Sequence, residues 1–417
     1  MITRRDFLGA SVGAGTAAAI GTSLPTWLAL AAQKAKPASG DTILVVLQLG
    51  GGNDGLNTVV PVKDDEYARS RPTLKLAPHE LHKISSSLGF HPRMQAFKRI
   101  YDQGWLSIIQ GTGYPNQDRQ HPGGMRAWQT AHPEDPHVET GWIGRAVDLV
   151  YRDDDGLIPA MFVGQVPPPQ GVRAQRALVP SIRSVQQCFL QAAAGPGGAA
   201  VRQGLTYSAQ TPRAQPSPLV SFLQKTTAAA YADAARVEEV VRADKGQANY
   251  PATGLAGNLR AVANLIRAEI GIRVFMTELG GSPIGGFDNH ASQAGNHAAL
   301  LHELSESVAA FLDDLQSDRL LDRVLLVTIS EFGRTVQENG RKGTDHGAAA
   351  PMFLAGGAVR GGLVGRHPSL VDLDAGGLRP HTDFRSVYAT LLDRWLGWDS
   401  RAVLGRAFPE LPLLKTA

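Results

Sequence analysis

Short apolar runs that end at glycine-bounded polar turns constrain this chain more than any other feature of its sequence. The first run, residues 42–49, reads TILVVLQL and stops at the turn GGGNDG. Four further runs follow at 106–110, 272–277, 324–329 and 352–355. Continuous runs rich in β-branched residues are typical of strands that are buried on both faces of a sheet. The sequence therefore predicts five such strands.

Amphipathic helices are predicted between and after these strands. They cover about 255–268, 296–316 and 384–396, where apolar residues recur with helical spacing. Strands that alternate with helices indicate an α/β fold, with a mainly parallel central sheet and helices on both of its faces. Ligands of such sheets bind at the carboxyl edge of the strands, so the polar turns are the predicted location of a functional site.

Charge and composition exclude some classes of protein. The 417 residues include 41 Lys or Arg and 38 Asp or Glu, and this net charge of +3 gives no sign of a nucleic-acid partner. A hydrophobic fraction of 43% is enough for a large core, and the length fits one large α/β domain or two smaller ones. Cys188 is the only cysteine, which excludes an intrachain disulfide and a cysteine-based zinc site.

The amino terminus predicts export. Residues 1–7 read MITRRDF, and an apolar stretch interrupted by Pro25 follows this twin-arginine pair. We interpret residues 1–31 as a twin-arginine signal peptide; the alternative, a membrane anchor, is disfavoured by the interruption. The prediction is a periplasmic or secreted protein that uses the twin-arginine export machinery and keeps no stable membrane span after cleavage. Residues 32–417 are predicted to form a single domain with a loop-rich excursion at about 164–218.

Acids and histidines lie in the turns beside the predicted strand ends. They are Asp54, Asp288, His290, Glu331, Asp345 and His346. Carboxylates and imidazoles are ligands of divalent cations, and side chains two residues apart in an extended segment share a face. We predict that this group binds a divalent metal ion; the alternative is that these side chains only satisfy strand ends. Arg334 is a candidate contact for an oxyanion, or else a partner in a surface ion pair.

In combination, these stretches resemble the domain-of-unknown-function 1501 family of twin-arginine-exported proteins, which is related to the alkaline phosphatase and sulfatase superfamily. The motifs that carry the resemblance are GGNDGLNTVVP (51–61), GFHP (89–92), GWIGR (141–145), GFDNH (286–290), SEFGRT (330–335), GTDHG (343–347) and TDFRSVY (382–388). The resemblance implies an alkaline phosphatase-like fold and a metal-dependent hydrolase of phosphate or sulfate esters. It implies one or two divalent ions, without distinguishing zinc, calcium, magnesium and manganese.

Two of the implied ligand positions depart from the superfamily pattern. The histidine that often follows the strand-end acid is replaced by Phe332 after Glu331. The acid and the histidine at 288 and 290 are closer in sequence than the usual pair. An alternative alignment makes the adjacent residues at 345 and 346 that pair, so the resemblance leaves the ligand set open.

A third departure bears on the mechanism. Many family members carry Ser-His where this chain reads Gln120-His121; if that serine is the nucleophile, this chain lacks it. Gln120 cannot form a covalent intermediate, which leaves Thr112 or a water molecule. Thr112, His121 and Arg334 are therefore the candidate catalytic residues. The predicted function is an exported, metal-dependent hydrolase-like protein acting on a small anionic ester. The alternative is a non-catalytic periplasmic binding protein that keeps the fold and recognises an envelope component.

Overall fold

The computed structural model describes residues 42–150, 159–165, 167–188, 238–243, 249–280 and 286–415. The predicted leader at 1–31 lies outside these ranges, and so does more than half of the predicted excursion at 164–218. The described part of that excursion includes one short strand and two single-turn 3-10 helices. No helix within the described ranges is long and apolar enough to cross a membrane.

Most strands of the described chain join one large sheet. In chain order the strands are β1 (Ile43–Leu49), β2 (Val59–Pro61), β3 (His82–Lys83), β4 (Leu88–Phe90), β5 (Leu106–Gly113), β6 (Ala160–Val163), β7 (Ser181–Ile182), β8 (Val274–Leu279), β9 (Val324–Ile329), β10 (Ala350–Ala355), β11 (Gly362–Val364), β12 (Leu373–Asp374), β13 (Gly377–Leu378) and β14 (Thr382–Asp383). Nine of these form the large sheet in the order β11-β5-β10-β9-β1-β8-β6-β7, with β14 also paired to β5. Only β10 pairs antiparallel to its neighbours in this sheet; the other described pairings are parallel.

The helices cover both faces of this sheet. They are α1 (Gly55–Thr58), α2 (Asp65–Ser70), α3 (Gln95–Asp102), α4 (His121–Thr130), α5 (Trp142–Val150), α6 (Gly254–Arg267), α7 (Gln293–Ser317), α8 (Phe384–Thr390) and α9 (Ser400–Leu404). Alternate side chains of β1 separate two hydrophobic cores, as expected for a strand buried on both faces. Val45 and Leu47 belong to the core formed with α3, α6 and α7. Leu44 and Val46 belong to the core formed with α4, α5 and α8.

The predicted fold class is confirmed: the chain forms an α/β structure with a mainly parallel sheet and helices on both faces. The first predicted strand is within one residue of β1, and the fourth coincides with β9. The third predicted strand starts two residues before β8, which continues to Leu279. The last predicted helix, 384–396, is α8 followed by a π-helical turn at Leu391–Leu396.

The register of the central strands brings three polar segments together. β1 is parallel to β8 on one side, with Leu49 opposite Leu279, and to β9 on the other, with Gln48 opposite Ile329. The three strands therefore end at the same edge of the sheet. The segments that follow β1 and β9, and the segment 286–292 that follows β8, lie at this edge, which is where open α/β sheets bind ligands.

Phe353 of β10 tests the packing of the core between the sheet and α3. Its ring is fully buried and lies 5.2 Å from that of Phe97 and 6.3 Å from that of Phe90, measured between centroids. We predict that Phe353→Ala lowers the free energy of unfolding by about 3–5 kcal/mol, because it leaves a cavity. Val371→Ala, at a site that is 77% exposed, is the control and should change it by less than about 0.5 kcal/mol. Urea unfolding measures both, and equal effects would contradict the packing described.

Candidate metal centre

Four polar side chains meet at the carboxyl edge of the sheet. Asp288 and His290 come from the segment after β8, and His346 lies in the loop between β9 and β10. His121 is the first residue of α4, the helix that follows β5. An isolated antiparallel bridge between Arg334 and His346 returns the loop to the end of β9. Residues far apart in sequence therefore converge because each follows, or folds back onto, a strand end.

Asp288 lies between three imidazole rings. Its carboxylate is 3.3 Å from Nε2 of His121, 3.0 Å from Nε2 of His290 and 3.2 Å from Nε2 of His346. The Nε2 atoms of His290 and His346 are themselves 3.0 Å apart. The buried ring of Phe332 packs against two of the imidazoles, with centroid distances of 5.0 Å to His121 and 4.4 Å to His346. Every histidine of the group therefore directs the same ring nitrogen toward one carboxylate.

The second ring nitrogen of each histidine, Nδ1, donates a hydrogen bond to an acceptor of the protein. The acceptors are Oε1 of Glu331 for Nδ1 of His121 (3.0 Å), Oδ1 of Asp345 for Nδ1 of His290 (3.0 Å) and the carbonyl oxygen of Arg119 for Nδ1 of His346 (2.6 Å). Carboxylate and carbonyl oxygens only accept hydrogen bonds, so each Nδ1 carries the proton. In a neutral ring that is protonated at Nδ1, Nε2 carries no hydrogen and presents a lone pair.

With all three rings neutral, three lone pairs and a carboxylate face one another, and their repulsion is relieved by a bound cation or by a proton on one of the rings. The four separations of 3.0–3.3 Å are similar in length to the edge of a tetrahedron around a zinc ion, about 3.4 Å for bonds of about 2.1 Å, and they involve both oxygens of Asp288: Oδ2 faces His121, and Oδ1 faces His290 and His346. His121, Asp288 and His346 each offer one ligand atom within 4.8 Å of the others, and His290 lies beside this set of three. No other cluster of three or more such residues occurs in the described part of the chain. These residues could therefore hold a metal ion.

The ionisation of the group follows from its charged neighbours. Burial raises the pKa of Asp288, but the hydrogen bond and the charge of Arg334 outweigh burial and lower this pKa to about 2. The hydrogen bond that His121 donates to the carboxylate of Glu331 raises the pKa of His121 above its usual value. Burial lowers the pKa of His346. Asp288 is therefore ionised at neutral pH.

Arg334 organises the backbone around Asp288. Its guanidinium donates to the carbonyl oxygens of Gly52 (2.8 Å) and Thr344 (2.9 Å), and Nη2 also donates to the carbonyl oxygen of Gly51. Nη2 further donates to Oδ1 of Asp288 at 2.7 Å. The side chain has no exposed surface, and these partners all belong to the protein. The geometry therefore makes Arg334 an internal cation and not the anion contact that the sequence suggested.

Gly51 permits the close approach of two of these segments. It adopts a φ of +106°, and a Cβ atom there would lie 2.5 Å from the backbone nitrogen of Asp288. Its N–H donates to Oε1 of Glu331 at 2.8 Å. Only glycine combines this backbone conformation with the space available. The glycine turn after β1 thus places the acid that follows β8.

Asp54 lies in a separate buried ion pair. Its Oδ1 accepts from Nη2 of Arg71 at 2.8 Å, and its Oδ2 accepts from Nη1 of Arg71 and from Nε2 of Gln293, both at 2.5 Å. Burial raises the pKa of Asp54, but the charge and hydrogen bond of Arg71 outweigh burial and lower it. Both carboxylate oxygens of Asp54 therefore accept hydrogen bonds from protein donors. Asp54 was predicted as a metal ligand, but it lies outside the group around Asp288.

The other predicted site residues lie either beside the group or away from it. Glu331 and Asp345 contact the group from outside, as acceptors for Nδ1 of His121 and His290. Thr112 is fully buried in β5, and its hydroxyl donates to the carbonyl oxygen of Ile109 at 3.2 Å. A hydroxyl in that position is not available to a ligand, so we assign Thr112 no chemical role.

Two contributors were not predicted as parts of the site. The carbonyl oxygen of Arg119 orients His346, and a backbone acceptor has no signature in sequence. Asn339 donates from Nδ2 to Oδ1 of Asp345 and to the carbonyl oxygen of His290, at 3.0 and 3.1 Å. The sequence offered one indication of this role: Asn339 precedes Gly340 in the loop that contains His346, and an Asn-Gly pair is typical of a turn.

Comparison with known proteins gives a family match and remote structural likenesses. A family model described as "Protein of unknown function (DUF1501)" matches residues 41–406. No curated protein matches the sequence.

Three solved structures illustrate these likenesses. The first is the zinc complex of the C-terminal periplasmic domain of EcEptC from Escherichia coli, with 10% identity, coverage of 76% of this chain and 73% of that chain, and a TM-score of 0.36. A protein in the alkaline phosphatase superfamily from Vibrio parahaemolyticus has 10% identity, coverage of 91% and 76%, and a TM-score of 0.36. The lipoteichoic acid synthase LtaP from Listeria monocytogenes has 8% identity, coverage of 91% and 76%, and a TM-score of 0.39. Likenesses at this level carry no functional conclusion for this chain.

The Asp54–Arg71 pair gives a test of which acids are structural. We predict that Arg71→Met lowers the free energy of unfolding by about 3–5 kcal/mol, because it leaves a buried carboxylate without its cation. The double variant Asp54→Asn/Arg71→Met should recover part of this loss, since no unpaired charge remains. Arg69→Met is the matched control: Arg69 is 70% exposed and should cost less than about 1 kcal/mol. Chemical denaturation measures all three, and equal losses in the two single variants would contradict the structural role.

Proposed function

The chain belongs to the DUF1501 family of proteins of unknown function, and we propose that it is a metal-dependent hydrolase of phosphate or sulfate esters. One observation carries the proposal. Three imidazoles whose Nδ1–H groups are all engaged direct their Nε2 atoms to within 3.0–3.3 Å of Asp288, at the carboxyl edge of a mainly parallel sheet. Such an arrangement holds a cation better than it holds any substrate directly.

The donor set favours zinc among the divalent ions. Three imidazole nitrogens and one carboxylate oxygen suit zinc, whereas magnesium and calcium prefer sets made of oxygen atoms. His121, Asp288, His290 and His346 would hold the ion. When bound, such an ion polarises the ester group and stabilises the charge that develops on its oxygens.

The chain's own residues shape the space beside the ion. Asp288 and His121 have 42% and 37% of their side chains exposed, so a small ester reaches the group from solvent. Phe332 forms an apolar wall on the other side of two of the rings and excludes water there. Arg334 keeps Asp288 ionised and fixed in position. The site is thus open toward substrate and closed toward the core.

Water supplies the attacking oxygen in the proposed reaction. Within the described residues, no Ser, Thr or Cys side chain hydrogen-bonds to the three imidazoles. Gln120, at the position before His121, has no nucleophilic atom. We therefore propose direct hydrolysis: water adds its oxygen to phosphorus or sulfur, the ester bond breaks, and the leaving alcohol takes up a proton.

Export completes the proposal. The twin-arginine pair and the apolar stretch behind it support a leader at 1–31, with passage through the twin-arginine machinery to the periplasm or medium. That machinery carries folded proteins, which agrees with a chain whose single cysteine needs no disulfide. The substrate would then be a small anionic ester or an envelope component.

The proposal predicts turnover that depends on zinc and on the imidazole group. Purified full-length protein should hydrolyse at least one of para-nitrophenyl phosphate, bis(para-nitrophenyl) phosphate and para-nitrophenyl sulfate, and chelator should abolish the activity. Asp288→Ala and His346→Ala should lower kcat/KM by at least about 100-fold, since the ion contributes several kcal/mol to transition-state stabilisation. His302→Ala, at a half-exposed histidine of α7 outside the group, is the control and should leave kcat/KM unchanged.

Two outcomes would contradict this function. Turnover that persists in Asp288→Ala would place the reaction elsewhere. Protein that binds zinc but turns over none of the three substrates would favour the alternative, a binding protein that keeps the fold and the ion without catalysis.

A further inference from the structure

We propose that Glu331 is a positioning residue: its buried carboxylate holds His121 in the tautomer and orientation that direct Nε2 toward the ion. The sequence had placed Glu331 among the metal ligands. The inference rests on the ion of the proposed function, but it concerns how this chain binds that ion and not what the loaded protein hydrolyses. It also extends to Asp345 and the Arg119 carbonyl, which hold the other two rings in the same way.

The carboxylate of Glu331 is fixed by its own surroundings. The residue lies two positions after the end of β9, and its side chain is 2% exposed. Oε1 accepts from the N–H of Gly51 at 2.8 Å, and the backbone carbonyl of Glu331 accepts from Nε2 of Gln117 at 3.1 Å. Side chain and main chain are therefore both tied to neighbouring segments, and Oε1 is a rigid acceptor.

The hydrogen bonds to the carboxylate of Glu331 within the described residues all go to one oxygen, Oε1. Oε2 is buried and has no hydrogen-bond partner in the described part of the protein. A buried carboxylate needs strong donors to offset its lost hydration. The Nδ1–H group of His121, at 3.0 Å from Oε1, is the side-chain donor that meets this need. The imidazole thus stabilises the acid, and the acid in turn fixes the imidazole.

His121 needs such a restraint more than a fully buried residue would. It is the first residue of α4, and more than a third of its side chain is exposed. Without an acceptor at Nδ1, its ring could exchange tautomers and turn Nε2 away from Asp288. With Glu331 in place, Nε2 lies 3.3 Å from Oδ2 of Asp288, and the negative charge makes the ring a better donor to a cation.

Zinc affinity tests this role without reference to catalysis. Full-length wild-type protein competes with a chromophoric chelator for zinc, and Glu331→Ala should bind zinc about 10–100-fold more weakly. Glu331→Gln should recover part of the loss, since its amide oxygen can still accept from Nδ1–H. Glu134→Ala is the matched control: Glu134 contacts Nδ1 of His132 at 3.3 Å, outside the group, and its removal should not change zinc affinity.

A double-mutant cycle shows whether Glu331 acts through His121. His121→Ala weakens zinc binding, and adding Glu331→Ala in that background should weaken it no further. The absorption bands of the cobalt-substituted protein should shift in the same direction in both variants but by less in Glu331→Ala, which loosens the nitrogen donor that His121→Ala removes, and should be unchanged in Glu134→Ala. If Glu331→Ala fails to fold, Glu331→Gln alone and combined with His121→Ala provides the same cycle.

The inference is overturned if Glu331→Ala binds zinc within twofold of wild type, if its effect is undiminished in the His121→Ala background, or if wild type binds no zinc. Zinc-loaded wild-type protein without any turnover would contradict the proposed hydrolase and leave the role of Glu331 intact. The two failures are therefore distinguishable.

Discussion

The buried guanidinium of Arg334 is the interaction on which the rest of the site depends. It donates to backbone carbonyls of the turn after β1, of the segment after β8 and of the loop before β10, and it also donates to the carboxylate of Asp288. Burying a cation is costly unless hydrogen bonds and an opposite charge compensate it. Here several carbonyls and one carboxylate do so together. As a result, three strand ends and the central acid hold a common position.

The acids at this edge differ in role because each has a different partner. Asp54 is neutralised by Arg71 and stabilises the fold. Asp288 is held by Arg334 but keeps 42% of its side chain exposed, so it remains open to a ligand. Glu331 and Asp345 each accept from an imidazole Nδ1. Residue type alone does not separate ligands from supporting groups; the separation comes from burial and from the donor that reaches each oxygen.

Much of the fold and part of the site could be predicted from the sequence. The apolar run of β9 and its polar end were recognisable because buried parallel strands need continuous apolar residues. The same reasoning placed Asp288, His290 and His346 at one edge, where the structure brings them together. Partners that arrive from distant elements could not be predicted. Arg71 follows the short helix α2, and no local pattern shows that it reaches Asp54, just as none shows which acceptor orients His121.

X-ray absorption at the zinc edge, on full-length protein loaded with one equivalent of zinc, shows whether the three histidines and Asp288 form a metal site. We expect a four-coordinate ion with metal–ligand distances of about 2.0–2.1 Å and the more distant scattering of several imidazole rings. His346→Ala should lose part of that imidazole signal. A six-coordinate shell of oxygen atoms without imidazole scattering, or zinc that remains free in solution, would contradict the account.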